Sequence, residues 1–146
     1  MCIRDRLRAG DIAHSCDFLS FGTNDLTQMT YGLSRDDSNR FMKEYIDKEL
    51  FSSDPFKTID VEGVGELLKI AVQRARNANS KIVTGLCGEH GGDPSSISFC
   101  RSVGFECTFT KNRVPIISII RFRNMSKILF HKFAYSFRIV AVLEVQ

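Results

Sequence analysis

The sequence predicts an α/β protein built on a parallel sheet. Three apolar stretches with strand character, residues 18 to 21, 82 to 87 and 105 to 109, alternate with segments of helical spacing. The first two run directly into loops rich in Gly, Asn and Asp, as strand ends do in crossover-connected sheets.

In the first stretch, Phe18-Leu-Ser-Phe21 reads as a strand and Gly22-Thr-Asn-Asp25 as its exit loop. Phe41, Tyr45 and Ile46 then keep helical spacing until Ser52-Ser-Asp-Pro55 breaks it. The clearest helix follows. Val64, Leu67, Leu68, Ala71, Val72 and Ala75 form one apolar stripe, Asp60 is a plausible N-cap, and Arg74 and Arg76 stand near the negative end of the dipole. Ile82-Val-Thr-Gly-Leu-Cys87 reads as a buried strand, and residues 88 to 93 as the loop leaving it. Asp93 caps the next helix, Pro94 takes its first position and Gly104 stops it. Phe105, Cys107 and Phe109 alternate with polar residues as a third strand, and Val114 to Ile120 is expected to be helical.

The chain of 146 residues is long enough for a hydrophobic core, and its 43% apolar and 25% charged content is that of an ordinary globular domain. Disorder and a collagen-like fibre are excluded. Five cysteines without a C-x-x-C pair fit free thiols better than a disulfide framework. There is no apolar run of membrane-spanning length, and charged residues fill positions 4 to 17 where a signal peptide would be apolar, so a cytoplasmic location is expected. The net charge of +3 is unevenly divided. Residues 1 to 110 carry 13 basic and 16 acidic side chains, and residues 111 to 146 carry 7 and 1.

Two loops carry residues suited to chemistry, both at the C-terminal ends of expected strands, where parallel α/β proteins collect their sites. Gly22, Thr23, Asn24 and Asp25 combine free backbone N–H groups, an amide and a carboxylate, which suits an oxygen-rich anion with Mg2+; a simple turn satisfied by Asn and Asp is the plainer reading. One carboxylate does not make a Mg2+ site, so further ligands must come from elsewhere. In the second loop Cys87 is followed closely by Glu89 and His90, a carboxylate and an imidazole able to tune a thiol, against the plainer reading of a buried strand-end cysteine. No second ligand pair at zinc spacing accompanies Cys87 and His90. Arg35 is suited equally to clamping a phosphate and to a surface ion pair.

The run Phe18-Leu-Ser-Phe-Gly-Thr-Asn-Asp-Leu-Thr-Gln-Met-Thr-Tyr-Gly-Leu-Ser-Arg-Asp-Asp37 and the run Gly85-Leu-Cys-Gly-Glu-His-Gly-Gly-Asp-Pro-Ser-Ser96 resemble the C-terminal part of the pyruvate, phosphate dikinase family. Asp54-Pro-Phe, Gly63-Val-Gly-Glu-Leu and Arg113-Val-Pro-Ile match it in order, and the resemblance covers about residues 10 to 119. It implies the last three strand-helix units of a (β/α)8 TIM barrel, an incomplete barrel followed by an irregular tail. The family interconverts ATP, phosphate and pyruvate with AMP, diphosphate and phosphoenolpyruvate (PEP) through a phosphohistidine on a mobile domain, and forms homodimers through its C-terminal domain. By resemblance, Asp25 is one of two carboxylate ligands of Mg2+, and Asn24 contacts the phosphoryl group. Gly22 and Thr23 hold substrate through their backbone, Arg35 faces the phosphoryl, and Cys87 exchanges a proton with the pyruvate methyl. Glu89 and His90 remain candidate supports of Cys87.

The family continues after Gly104 with a tyrosine, a serine and a Ser-Pro before Arg-Val-Pro, where this chain has Cys107-Thr-Phe-Thr-Lys-Asn112. Met1 to Arg6 read as the translation of a sequencing adapter, residues 7 to 121 as the barrel segment, and residues 122 to 146 as a basic, aromatic extension. That extension shows neither a clear amphipathic stripe nor a nucleic-acid motif, so neither membrane nor nucleic acid is expected as a partner. The expected function is that of a dikinase fragment, inactive alone, holding part of the Mg2+-dependent pyruvate and PEP site. The rival readings are a free-standing module that associates with itself or an intact dikinase, and a fragment of a related PEP synthase or phosphotransferase enzyme I.

Overall fold

The computed structural model describes residues 2–110, 113–117 and 139–140. Two short helices, α1 (Cys2–Leu7) and α2 (Ala9–Ala13), lead into strand β1 (Phe18–Gly22), which passes without a loop into α3 (Thr23–Tyr31). After α4 (Arg35–Ser38), α5 (Met42–Asp47) and an irregular stretch, α6 (Val64–Ala78) returns the chain to β2 (Val83–Cys87). A 3-10 turn (Glu89–Gly92) and α7 (Pro94–Val103) then lead to β3 (Cys107–Thr110), β4 (Arg113–Ile117) and β5 (Ile139–Val140).

The sheet order is β4-β3-β2-β1-β5. The neighbours β1, β2 and β3 are parallel and follow sequence order, as the alternation of strand and helix predicts. Register sets Gly22 beside Cys87 and Ser20 beside Gly85, so the two expected site loops leave adjacent strand ends together.

Local chemistry explains the helices that bound these strands. The predicted stripe on α6 is the buried face, with Val64, Leu68, Ala71, Val72 and Ala75 in the core and Leu67 packed at its edge. Asp60 caps this helix from just outside it, its carboxylate accepting from the N–H groups of Glu62, Gly63 and Val64. Asp93 caps α7 by accepting from Ser96 N–H at 2.8 Å, with Pro94 in the first turn. Gly104 ends that helix at φ 109°, a conformation glycine adopts without a Cβ penalty. The core joins these helices to the sheet through Leu19 and Phe21 of β1, Leu86 of β2, Leu26 of α3, and Ile82, Cys100 and Phe105.

Three expectations need correction. Gly22 to Asp25 is not an exit loop, since Gly22 is the last residue of β1 and Thr23 opens α3, placing Asn24 and Asp25 in its first turn. The segment from Val114 is not helical over its described part, because β4 pairs antiparallel with β3. The β-branched Val114, Ile116 and Ile117 lose rotamer freedom in a helix and suit a strand, while Pro115 is tolerated because β4 lies at the sheet edge. The tail is not irregular throughout, since Ile139 and Val140 add parallel to Phe18 and Leu19 of β1. The rest of the expected extension, residues 122 to 138 and 141 to 146, lies outside the described residues, as do residues 118 to 120. Among the described residues no helix is long and apolar enough to cross a membrane.

Candidate functional site

The site is built where β1 and β2 end side by side. Gly22 leaves a hollow in which a methyl group would lie 3.9 Å from Asp25 Oδ2 and 4.0 Å from Cys87 Sγ, so a carboxylate and a thiol from different strand ends border the same small space. Ser20, two residues earlier on β1, directs its hydroxyl to Cys87 Sγ at 3.4 Å. Cys87 is half-buried, so its thiol is open to solvent on one side.

Helix α3 supplies the oxygen donors. Asn24 is buried at 6% exposure, and its Oδ1 has no hydrogen-bond partner, a state that costs about 1–3 kcal/mol unless a ligand satisfies it. Asp25, one residue on, is more open, and Gln28 Nε2 reaches its Oδ1 at 3.4 Å. Gln28 also accepts from the Arg35 backbone N–H at 2.9 Å, tying α4 to the first turn of α3. These hard oxygen atoms have the chemistry Mg2+ requires. Among the described residues no three His, Cys, Asp or Glu side chains gather into a group that could hold a metal ion.

The second loop distributes its residues differently from expectation. Glu89 forms an ion pair with Arg35, joining the turn after β2 to α4. Both groups are substantially exposed, so the pair orients two side chains more than it stabilises the fold. His90 is fully buried, with Nδ1 2.8 Å from Thr23 Oγ1 and Nε2 2.8 Å from the Pro55 carbonyl oxygen. Burial holds its pKa below the ordinary histidine value, although the Pro55 carbonyl and the carboxylates of Asp93, Glu89 and Asp54 pull the other way. Both ring nitrogens are thus engaged in clamping Thr23 to the segment before α6.

Thr23 is the crossing point, because its Oγ1 also approaches the Cys87 carbonyl oxygen at 3.3 Å. Gly88, at φ 123°, lets the backbone pass over it, where a Cβ would fall 2.9 Å from Thr23 Oγ1 and 3.4 Å from Asn24 Oδ1.

Gly22, Thr23, Asn24, Asp25, Cys87 and His90 therefore come together, with Arg35 and Glu89 paired beside them. Ser20 and Gln28 were not singled out from the sequence. Gln28 stands one turn from Asp25, a spacing that a helix beginning at Thr23 makes meaningful. Ser20 has no such local signal, since it meets Cys87 across 67 residues of chain. Arg6 is likewise buried, donating to the Gly22 carbonyl oxygen at 3.2 Å and standing 5.0 Å over the Phe21 ring.

The fold is that of an α/β protein in which a thiol and oxygen donors border one hollow at parallel strand ends. The family model for the PEP-utilising enzyme, PEP-binding domain, matches residues 3–125. The chain belongs to this PEP-utilising family. It is 52% identical over 114 residues to a pyruvate, phosphate dikinase of Rhizobium meliloti (strain 1021), covering 77% of this chain and 13% of that protein. Against pyruvate, phosphate dikinase 2 of Oryza sativa subsp. japonica and the dikinase of Clostridium symbiosum, the identities are 50% and 48% with the same coverage. The chain thus spans about an eighth of the length of these relatives.

Proposed function

We propose that this chain supplies part of the pyruvate and PEP site of a pyruvate, phosphate dikinase, as the last three strand-helix units of a (β/α)8 barrel. The observation that supports this most is the shared hollow at Gly22, bordered by Asp25 Oδ2 and Cys87 Sγ. Family membership and about 50% identity to dikinases direct the reading to this reaction rather than to another use of the same groups.

In this reading Cys87 takes a proton from the pyruvate methyl carbon, and the resulting enolate oxygen attacks the phosphorus of a phosphohistidine carried by another domain, breaking the P–N bond and giving PEP. In reverse, the thiol returns the proton to carbon. Ser20 orients the thiol. Asn24 Oδ1 and Asp25 are the residues here that would help hold Mg2+, with Asn24 also near the phosphoryl group. When bound, the ion supplies positive charge against the developing enolate. Gly22 and Thr23 admit substrate to the strand end. Arg35, oriented by Glu89 and Gln28, meets the transferring phosphoryl as a delocalised cation.

The nucleotide chemistry, the phosphohistidine domain and dimer formation belong to the rest of such an enzyme, and the chain alone is proposed to be inactive. The test replaces the corresponding segment of the Rhizobium meliloti dikinase with residues 9 to 106 of this chain. The chimera is expected to form PEP from pyruvate, ATP and phosphate, whereas the 146-residue chain forms none. A folded chimera without turnover, or PEP formation by the chain alone, would contradict the proposal.

A further inference from the structure

We infer that His90 is a positioning residue that directs the single hydroxyl proton of Thr23, and through it the tie between the Asn24–Asp25 turn and the Cys87 strand end. The Pro55 carbonyl can only accept a hydrogen bond. His90 Nε2, 2.8 Å from it and fully buried, must therefore carry a proton. In the neutral ring Nδ1 is then a bare acceptor, so the contact to Thr23 Oγ1 at 2.8 Å is made by the Thr23 hydroxyl donating to nitrogen. The same hydroxyl also faces the Cys87 carbonyl oxygen at 3.3 Å. One proton faces two acceptors, and the shorter contact holds it.

Protonation reverses this assignment. A proton taken from solvent at Nδ1 turns the ring nitrogen into a donor, and Thr23 Oγ1 becomes its acceptor. The Thr23 hydroxyl proton remains on its oxygen and rotates to the Cys87 carbonyl. Neither His90 Nδ1 nor the Thr23 hydroxyl is left without a partner in either state, so the relay absorbs a charge change inside the fold without an orphaned donor. The carboxylates of Asp93, Glu89 and Asp54 act on the ring through their charge, Asp25 stands two residues from Thr23 on α3, and Cys87 ends β2. In the neutral state the Thr23 proton is directed to His90 and away from the Cys87 carbonyl. In the protonated state Thr23 binds the strand end directly and draws it toward the first turn of α3. The link to chemistry rests on the reading of Cys87 as the proton-exchanging thiol, but the relay itself does not.

The test is nuclear magnetic resonance on the isotopically labelled 146-residue chain. Long-range nitrogen–proton correlations should show His90 as the Nε2–H tautomer at neutral pH. On acidification the Cys87 carbonyl carbon should shift with the same midpoint as the His90 ring. Thr23→Ser should keep that coupled shift, and Thr23→Val should abolish it while His90 still titrates. An Nδ1–H tautomer in the wild-type chain, a Cys87 carbonyl that ignores His90 titration, or a coupled shift that survives Thr23→Val would overturn the inference. The wild-type tautomer and carbonyl titration decide the matter even if Thr23→Val does not fold. Loss of turnover in the chimera would sink the functional reading and leave these signals unaffected.

Discussion

The hydroxyl of Ser20 lies 3.4 Å from the sulfur of Cys87, across the parallel pairing of β1 and β2. The contact helps to aim the thiol at the strand end. A hydrogen bond of this kind contributes about 0.5–1.5 kcal/mol. Ser20→Ala in the chimera should therefore slow pyruvate turnover about three- to tenfold, with its melting temperature little changed. An unchanged rate would show that Ser20 does not orient the thiol.

Glu89 and Arg35 form an ion pair in which both partners are well exposed to solvent. Water screening limits its value to about 1 kcal/mol or less. Glu89→Gln is thus expected to leave urea unfolding of the chain nearly unchanged while weakening PEP binding by the chimera, and to make that binding less sensitive to salt. Destabilisation of several kcal/mol would mean that the pair holds the fold rather than Arg35.

Buried His90 makes stability depend on pH. Its folded pKa lies below the ordinary value of 6.5, so the unfolded chain binds more protons as the pH falls past that value. The stabilisation is complete above about pH 6.5 and is lost toward the lower folded pKa. Asp93, lowered by its Ser96 partner, acts in a more acidic window, below its ordinary 3.8. Asp60 joins it there, because the N–H groups of Gly63 and Val64 and the Tyr31 hydroxyl outweigh the upward push of burial. Urea titrations from pH 7.5 to pH 5 should show falling stability, and His90→Gln should flatten that slope without removing the drop below pH 4.

Asp60 links α3 to the start of α6, because it caps α6 and accepts from Tyr31. Burial and this carboxylate together push the Tyr31 pKa up to about 12. Asp60→Ala should cost about 1–2 kcal/mol through the lost cap. Ultraviolet titration should then find Tyr31 ionising closer to 10. A tyrosine pKa unmoved by the substitution would break the assignment of Asp60 as its partner.

Signals confined to a few neighbouring residues were legible in the sequence. The α6 stripe and the Asp93, Pro94 and Gly104 punctuation of α7 each reflect short-range geometry, and each is found where expected. The segment after Asn112 was misread because five Ile or Val residues in seven satisfy helical and strand patterns alike, and only pairing with β3 decides. Long-range meetings were invisible for the same reason. Ser20 with Cys87 and Arg35 with Glu89 join residues 67 and 54 apart, which only the parallel register brings into contact. His90 stood near Cys87 in sequence and was expected to serve it, yet its ring nitrogens reach Thr23 and Pro55.

The central claim is that Cys87 moves a proton to and from pyruvate, and exchange of the pyruvate methyl protons with heavy water measures that step most directly. In the folded chimera with Mg2+ and the phosphohistidine in place, Cys87→Ala is expected to slow exchange at least about a hundredfold, the usual range for a lost proton-transfer group. Exchange that continues at the unsubstituted rate would contradict the account.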